Sequence, residues 1–328
     1  MRLRLVVPVD VDTPTGGNVY DLALAEALHL GGDEVEVLRC EAPALADVLA
    51  QPWDGLTLVD GLLACPQPQA LTTAPVAVLV HMPLALQTGL ARERATMLDR
   101  LERQALQAAT DVVATSDWSA RYLERHHSLA EVVVARPGVE PAPVSTGSDP
   151  RLFVHLAALL PHKDQLGIVA ALTRLRDLPW RARLAGPVDR DPTYAAAVRD
   201  AVGAAGLGDR IEIPGTVSRE SAWAGADLAL LPSRVESFGM VVTEALARGI
   251  PAVVSEGGPA EALGICANGE RPGVVVPAGD TAALEAALRR WLTDAGYRAA
   301  LHGAALSRRA TLEPWEVTAR RVRRALTG

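Results

Sequence analysis

Lysine is almost missing from this chain. Of its 32 basic residues all are arginine except Lys163. A composition that replaces lysine wherever arginine serves equally well marks Lys163 as a place where a compact ammonium on a flexible stem is not interchangeable with a planar fork. Cysteine is scarce too: Cys40, Cys65 and Cys266 lie far apart and in no metal-ligand spacing. Neither a disulfide framework nor a cysteine-based structural zinc is indicated, and reduced core thiols are expected. No apolar run reaches the roughly 18 residues needed to span a bilayer, and the first strand passes straight into Pro8 and Asp10 without a cleavage pattern. A cytoplasmic location without integral membrane association is expected. An excess of positive charge is also lacking, since the net charge is -7. With a pI near 5.6 the chain has no basic stripe for a nucleic-acid partner, which leaves a small-molecule substrate.

What is present is a chain of 328 residues, 49% hydrophobic, long enough for two domains with separate cores. Apolar strands at 3–9, 35–38, 56–59, 76–80, 112–114 and 132–135 alternate with helical patterns at 19–30, 91–109 and 118–125. The turn Thr13 to Gly17 separates the first strand from the first helix. Between 136 and 150 the chain turns to proline, glycine and serine with no periodicity, which reads as a linker. The alternation then restarts, with strands at 152–156, 183–185, 210–213, 228–231, 252–254 and 273–276. Helices are expected from Lys163, over 193–205 and 240–248, and over 282–292 with Asp280 as the cap. A last helix, 315–326, follows Pro314, and Trp315 is expected to dock it toward the first domain. Continuous apolar strands joined by helices predict parallel sheets covered on both faces. The expected fold class is α/β, two Rossmann-like doubly wound domains, 1–145 and 151–312, facing across a cleft lined by loops at the carboxyl ends of the strands.

The strongest local signal runs from Pro232 to Pro251. A buried strand ends, a loop carries Glu236, and a helix opens near Gly239, so that backbone amides of residues 238 to 241 point out of a helix start. Glu244 follows eight residues later, about 12 Å along a helix. One carboxylate can then hold a transferred sugar and the other a ribose, with a diphosphate at the amides. Taken as an arbitrary pair, these glutamates would be a helix cap and a solvated helix residue.

The flanking sequence changes that balance, because the stretch closely resembles the E-x7-E segment of family 4 glycosyltransferases. It shares the preceding Pro232-Ser233, Phe238-Gly239 between the acids, and Glu244-Ala245-Leu246-Ala247 with Gly249 and Pro251 after them. The resemblance extends to Gly16-Gly17-Asn18, His81-Met82-Pro83-Leu84, Pro161-His162-Lys163, Ala185-Gly186-Pro187, Gly257-Gly258-Pro259 with Glu261, and Gly273 to Asp280. It implies the GT-B fold and a retaining transfer from a nucleotide sugar, most naturally a UDP-sugar, to a hydroxyl of a small or soluble acceptor, with no metal and no other cofactor. It further implies that Glu236 binds the donor sugar and that Ser237, Phe238, Gly239, Met240 and Val241 line sugar and diphosphate. Glu244 would bind ribose and Lys163 would neutralise the diphosphate. Gly16 and Gly17 would admit close backbone approach, and His81 would sit beside the reacting centre as an aid to the sugar.

One departure stands out: the family's phosphate-binding arginine is Ala158 here. His162, Arg190 or Arg234 is expected to compensate. Two other classes compete with transfer, a nucleotide-sugar epimerase on the same fold and a pseudo-transferase that binds without turnover. Asp10-Val11-Asp12 and Asp189-Arg190-Asp191 match a metal-binding DxD pattern but read as turn residues. The first glycine loop lacks the GxGxxG spacing and distal acid of an NAD site. His126-His127 is expected at the surface rather than as a ligand pair, and the acceptor is illegible because its contacts belong to variable loops.

Overall fold

The computed structural model describes all residues, Met1 to Gly328, which form two compact units. The first comprises Met1–Val139 with Glu313–Gly328, and the second Glu140–Leu312. In the first unit the order is β1 (Arg2–Pro8), α1 (Gly16–Leu30), β2 (Glu34–Cys40), α2 (Leu45–Leu49), β3 (Leu56–Asp60), α3 (Gly61–Ala64), β4 (Ala77–Val80), α4 (Arg92–Ala108), β5 (Val112–Ala114), α5 (Asp117–His127) and β6 (Val133–Val134). The six strands make one sheet in the order β2-β1-β3-β4-β5-β6, and every neighbouring pair is parallel. Strand β4 is buried at all four positions, as expected of a sheet covered on both faces.

The second unit follows with β7 (Arg151–Leu156), α6 (Gln165–Thr173), β8 (Trp180–Ala185), α7 (Pro192–Ala204), β9 (Ile211–Gly215), α8 (Arg219–Trp223), β10 (Leu228–Leu231), α9 (Met240–Ala247), β11 (Ala252–Ser255), α10 (Gly258–Leu263), β12 (Gly273–Val276), α11 (Thr281–Thr293) and α12 (Ala295–Arg309). Its sheet is also fully parallel, ordered β12-β11-β10-β7-β8-β9. Phe153, Trp180 and Trp291 centre one core, with ring centroids 5.6 Å apart for Phe153–Trp291 and 6.3 Å for Phe153–Trp180. The last helix, α13 (Trp315–Thr327), returns to the first unit and packs on α1, where Trp315 meets Tyr20 edge-on at 5.4 Å. Thr318 donates to the Arg136 carbonyl, and Arg323 grips Asp33, tying the returning helix at both ends.

Several expectations need correction. Gly16 and Gly17 open α1 instead of preceding it, because the Thr15 hydroxyl accepts from the Asn18 amide and caps the helix there. Lys163 does not begin a long helix. It closes a short 3-10 turn, Asp164 adopts φ +58°, and only then does α6 start. Strand β8 begins three residues earlier than its apolar stretch suggests, since Trp180 is fully buried. Helix α12 was missed entirely; Gly296 and Gly303 dilute its pattern, but Asp294 caps it and Leu301, Ala304 and Ala305 bury its inner face. The histidine pair is only half a surface feature, for His127 is wholly buried against Glu102 of α4 while His126 stays exposed. All three cysteines are free and buried. No helix is long and apolar enough to cross a membrane.

Candidate active site

In the second sheet the strand order runs β7-β8-β9 in one direction and β10-β11-β12 in the other, so it reverses between β7 and β10. Loops leaving the carboxyl ends of two strands diverge at such a point and leave a crevice. The two loops here are 157–164, which carries Lys163, and 232–239, which carries Glu236. Three contacts stitch them together. The Arg234 amide donates to the His162 carbonyl at 2.7 Å. Lys163 Nζ lies 2.5 Å from Glu236 Oε2, and the Arg234 guanidinium reaches Asp164 Oδ1 through both Nε and Nη2 at 3.1 Å. Behind them the buried His155 donates from Nδ1 to the Leu230 carbonyl, fixing β7 against β10, while its Nε2 faces the Gln165 amide nitrogen.

The electrostatics follow from this crowding. Burial alone would raise the Glu236 carboxyl, but the Lys163 charge and hydrogen bond, the His162 ring and the Phe238 amide outweigh it and hold the group below its usual range. Burial, followed by the neighbouring Lys163 charge, pushes His162 down to about 4, which leaves its imidazole neutral at neutral pH. Among the three residues expected to replace the missing arginine, His162 can therefore offer hydrogen bonds but no positive charge. Arg234 offers a guanidinium beside the Lys163 turn, paired with Asp164 and 59% exposed. Arg190 is exposed in the turn leading into α7, and Ala158 presents its carbonyl to Gln165.

Helix α9 starts at Met240 with Gly239 at its cap, φ +90°, a conformation that L side chains rarely adopt. A Cβ there would also fall 2.6 Å from Leu231 Cδ2, so glycine is required twice over. Phe238 anchors the loop by burying its ring in the second unit's core, leaving its backbone on the site side with the amide on Glu236. Ser237 and Val241 are half-buried in the same turn. Glu244 lies further along α9, mostly buried, where Arg219 of α8 pairs with it and Trp223 Nε1 donates to its second oxygen at 3.4 Å. It is thus a held carboxylate and not a solvated one.

The first unit has its own cluster at the corresponding reversal, between β1 and β3. His81, just after β4, places Nε2 2.9 Å from Asp21 Oδ1 and 3.6 Å from Asp60 Oδ2. Burial lowers its proton affinity, but the two carboxylates more than reverse that and raise the imidazole to about 9, so it is cationic at neutral pH. Asp60 is raised, chiefly by burial and then by the Asp21 charge. A Cβ on Gly17 would come within 3.1 Å of the His81 ring, which explains a glycine in the first turn of α1. Sequence reasoning missed Asp21 and Asp60. Asp21 sits inside an apolar helix and Asp60 ends a strand before a glycine, where it caps α3 by accepting from the Leu62 amide, so neither belongs to a local motif. The DxD candidates serve locally: Asp12 pairs with Arg39, and Asp191 caps α7.

Two parallel six-stranded sheets with flanking helices, each with its loops at a strand-order reversal, define the GT-B fold. Sucrose-phosphate synthase from Thermosynechococcus elongatus superposes with a TM-score of 0.81 at 21% identity, covering 98% of this chain and 97% of that one. Anabaena Alr3699/HepE in complex with UDP-glucose superposes at 0.79 and 17% identity, over 100% and 99% of the two chains. The family model described as glycosyl transferases group 1 matches residues 140–308, and the chain belongs to that family. Curated relatives include the D-inositol 3-phosphate glycosyltransferase of Kineococcus radiotolerans, 32% identical over 66% of this chain and 57% of that protein. The lipopolysaccharide core biosynthesis mannosyltransferase LpcC of Rhizobium leguminosarum is 31% identical over 69% of this chain and 65% of its own length. The chain thus spans less than two thirds of these relatives.

Proposed function

We propose that this chain is a retaining, family 4 glycosyltransferase that moves a sugar from a nucleotide-sugar donor to a hydroxyl of a small or soluble acceptor in the cytoplasm, without a metal ion. The observation that carries the reading is the Lys163–Glu236 pair beside the first turn of α9, with Glu244 held further along the same helix. In this reading Lys163 leaves Glu236 when donor binds and neutralises the diphosphate, and Glu236 accepts from hydroxyls of the transferred sugar. The amides of Gly239 to Val241 at the start of α9 receive the phosphates, Arg234 supplies the charge lost at Ala158, and Glu244 exchanges Arg219 for the ribose. A UDP-sugar is the favoured donor, a choice supported by the UDP-glucose bound to Anabaena Alr3699/HepE. The relatives' names point to D-inositol 3-phosphate and to lipopolysaccharide core biosynthesis, and a polyol or glycan hydroxyl is the acceptor class we assign.

Transfer is then a front-face substitution. The bond from the anomeric carbon to the acceptor oxygen forms on the side where the bond to phosphate breaks, and the acceptor proton passes to the departing phosphate oxygen. Lys163 and the helix-start amides stabilise the charge that develops there. Cationic His81, with Nε2 committed to Asp21, is unsuited to act as a base and fits a role of donating to or positioning the sugar, with Gly16 and Gly17 leaving room for close approach. The test is turnover of UDP-, GDP- and ADP-sugars with a polyol and glycan acceptor mixture, with and without EDTA, and NMR of the product anomer. Retained configuration and indifference to EDTA are expected. An inverted product or a loss of turnover in EDTA contradicts the mechanism, and donor conversion without acceptor favours an epimerase.

A further inference from the structure

Helices α4 and α5 assemble a second histidine cluster that shares no residue with the donor loops or with the His81 group. His126 Nε2 lies 2.6 Å from Asp99 Oδ1. The neighbouring His127 is completely buried, with Nε2 3.0 Å from Glu102 Oε2, and Glu102 is itself buried and accepts the Leu84 amide on its other oxygen. A carboxylate accepting from Nε2–H fixes the tautomer and leaves the lone pair on Nδ1. That Nδ1 is buried and has no hydrogen-bond partner, a costly state for a basic nitrogen inside a protein. Asp99, His126 and His127 each offer one ligand atom, all within 4.8 Å of one another.

We propose that Asp99, His126 and His127 bind a divalent transition-metal ion of the zinc type, with Glu102 orienting His127 from behind. A histidine whose second nitrogen is held by a carboxylate is the usual support of an imidazole ligand. Two imidazoles and one carboxylate suit zinc, nickel or copper and not calcium or magnesium, which prefer all-oxygen shells. Tetrahedral ligands at zinc bond lengths stand roughly 3.3 Å apart, so side-chain rotations of about 1 Å close the present cluster around an ion. Three protein ligands leave the fourth position to water. The site also lies in the last turn of α5, where the carbonyl end of the helix favours a cation. Access is open through exposed His126, which borders a shallow hollow lined by Trp118, Arg121, Tyr122 and Arg125. The opposing charge is Arg103, 3.9 Å from Asp99 Oδ2, which the ion would displace. The ion ties α4 to α5 and takes no part in sugar transfer.

The test is calorimetric titration of the metal-stripped full chain with zinc chloride, repeated with magnesium chloride, and with cobalt(II) read by visible absorption. One zinc equivalent is expected, with a rise in melting temperature and a cobalt spectrum typical of tetrahedral coordination. His126→Ala, a surface change that leaves the fold intact, should abolish that equivalent, the thermal shift and the spectrum together. Glu102→Gln should weaken zinc by about 10- to 100-fold while keeping the Leu84 hydrogen bond. Zinc binding that His126→Ala leaves unchanged, or zinc affinity no better than magnesium, overturns the site and leaves two ordinary ion pairs.

Discussion

In the second unit the loops at the strand reversal are held by ion pairs that a ligand can exchange: Lys163 with Glu236, Arg219 with Glu244, and Arg234 with Asp164. In the first unit the corresponding position is held by His81 locked between Asp21 and Asp60, whose side chains are almost wholly buried. The sheets share a plan, yet one presents partly exposed groups whose partners can change and the other presents a charge fixed before any ligand arrives. The contrast suits a division in which one unit grips a charged, variable donor and the other sets a constant electrostatic environment.

The comparison breaks most sharply at Lys163. Lys163→Ala removes the chain's only lysine and strands Glu236, so turnover is expected to fall by about 100- to 1000-fold. The melting temperature should drop as well, and adding Glu236→Gln should restore stability but not activity, a double-mutant cycle that separates folding from catalysis. Next in size, Glu244→Ala should weaken uridine and UDP alike by about 10- to 100-fold, as expected for a lost hydrogen bond to a charged group. Isothermal titration with both ligands checks it, and a loss confined to UDP would reassign Glu244 to the phosphates.

For the first unit the sharpest readout is a titration. The His81 imidazole is raised to about 9 in the folded chain against about 6.5 unfolded. Its contribution to stability is therefore complete below pH about 6.5 and disappears as pH rises through about 9. Asp21→Asn should bring the His81 pKa down, read by NMR of the ring protons, and should flatten this part of the stability profile with little change in UDP affinity. The smallest effect is expected for Gly17→Ala, whose Cβ presses on the His81 ring. Such overpacking costs about 1 kcal/mol in stability and should lower turnover several-fold while UDP binding stays as it was.

Much of this was legible in the sequence because it rests on short-range regularities. Parallel strands buried on both faces read as apolar runs, and Asp280, which accepts from the Ala283 amide, announced its helix. Glu236 and Glu244 were found through their flanking residues. What could not be read depended on partners distant in the chain. Asp21 and Asp60 acquire meaning only when β4 delivers His81 to them, across 60 residues in one case. His126 and His127 read as a surface pair in a loop past a helix ending at 125, but α5 runs on through both, and only the packing of α4 decides that His127 is the one buried. The partner of Glu244, Arg219, lies 25 residues away on α8, in a segment too short to show a helical period.

The most direct measurement compares UDP with uridine on wild type and Lys163→Ala by isothermal titration calorimetry. If Lys163 holds the diphosphate, UDP affinity falls by about 10-fold or more while uridine affinity is unchanged. Equal UDP affinity in the two proteins would contradict the assignment of the second unit's ion-paired loops to the nucleotide-sugar donor.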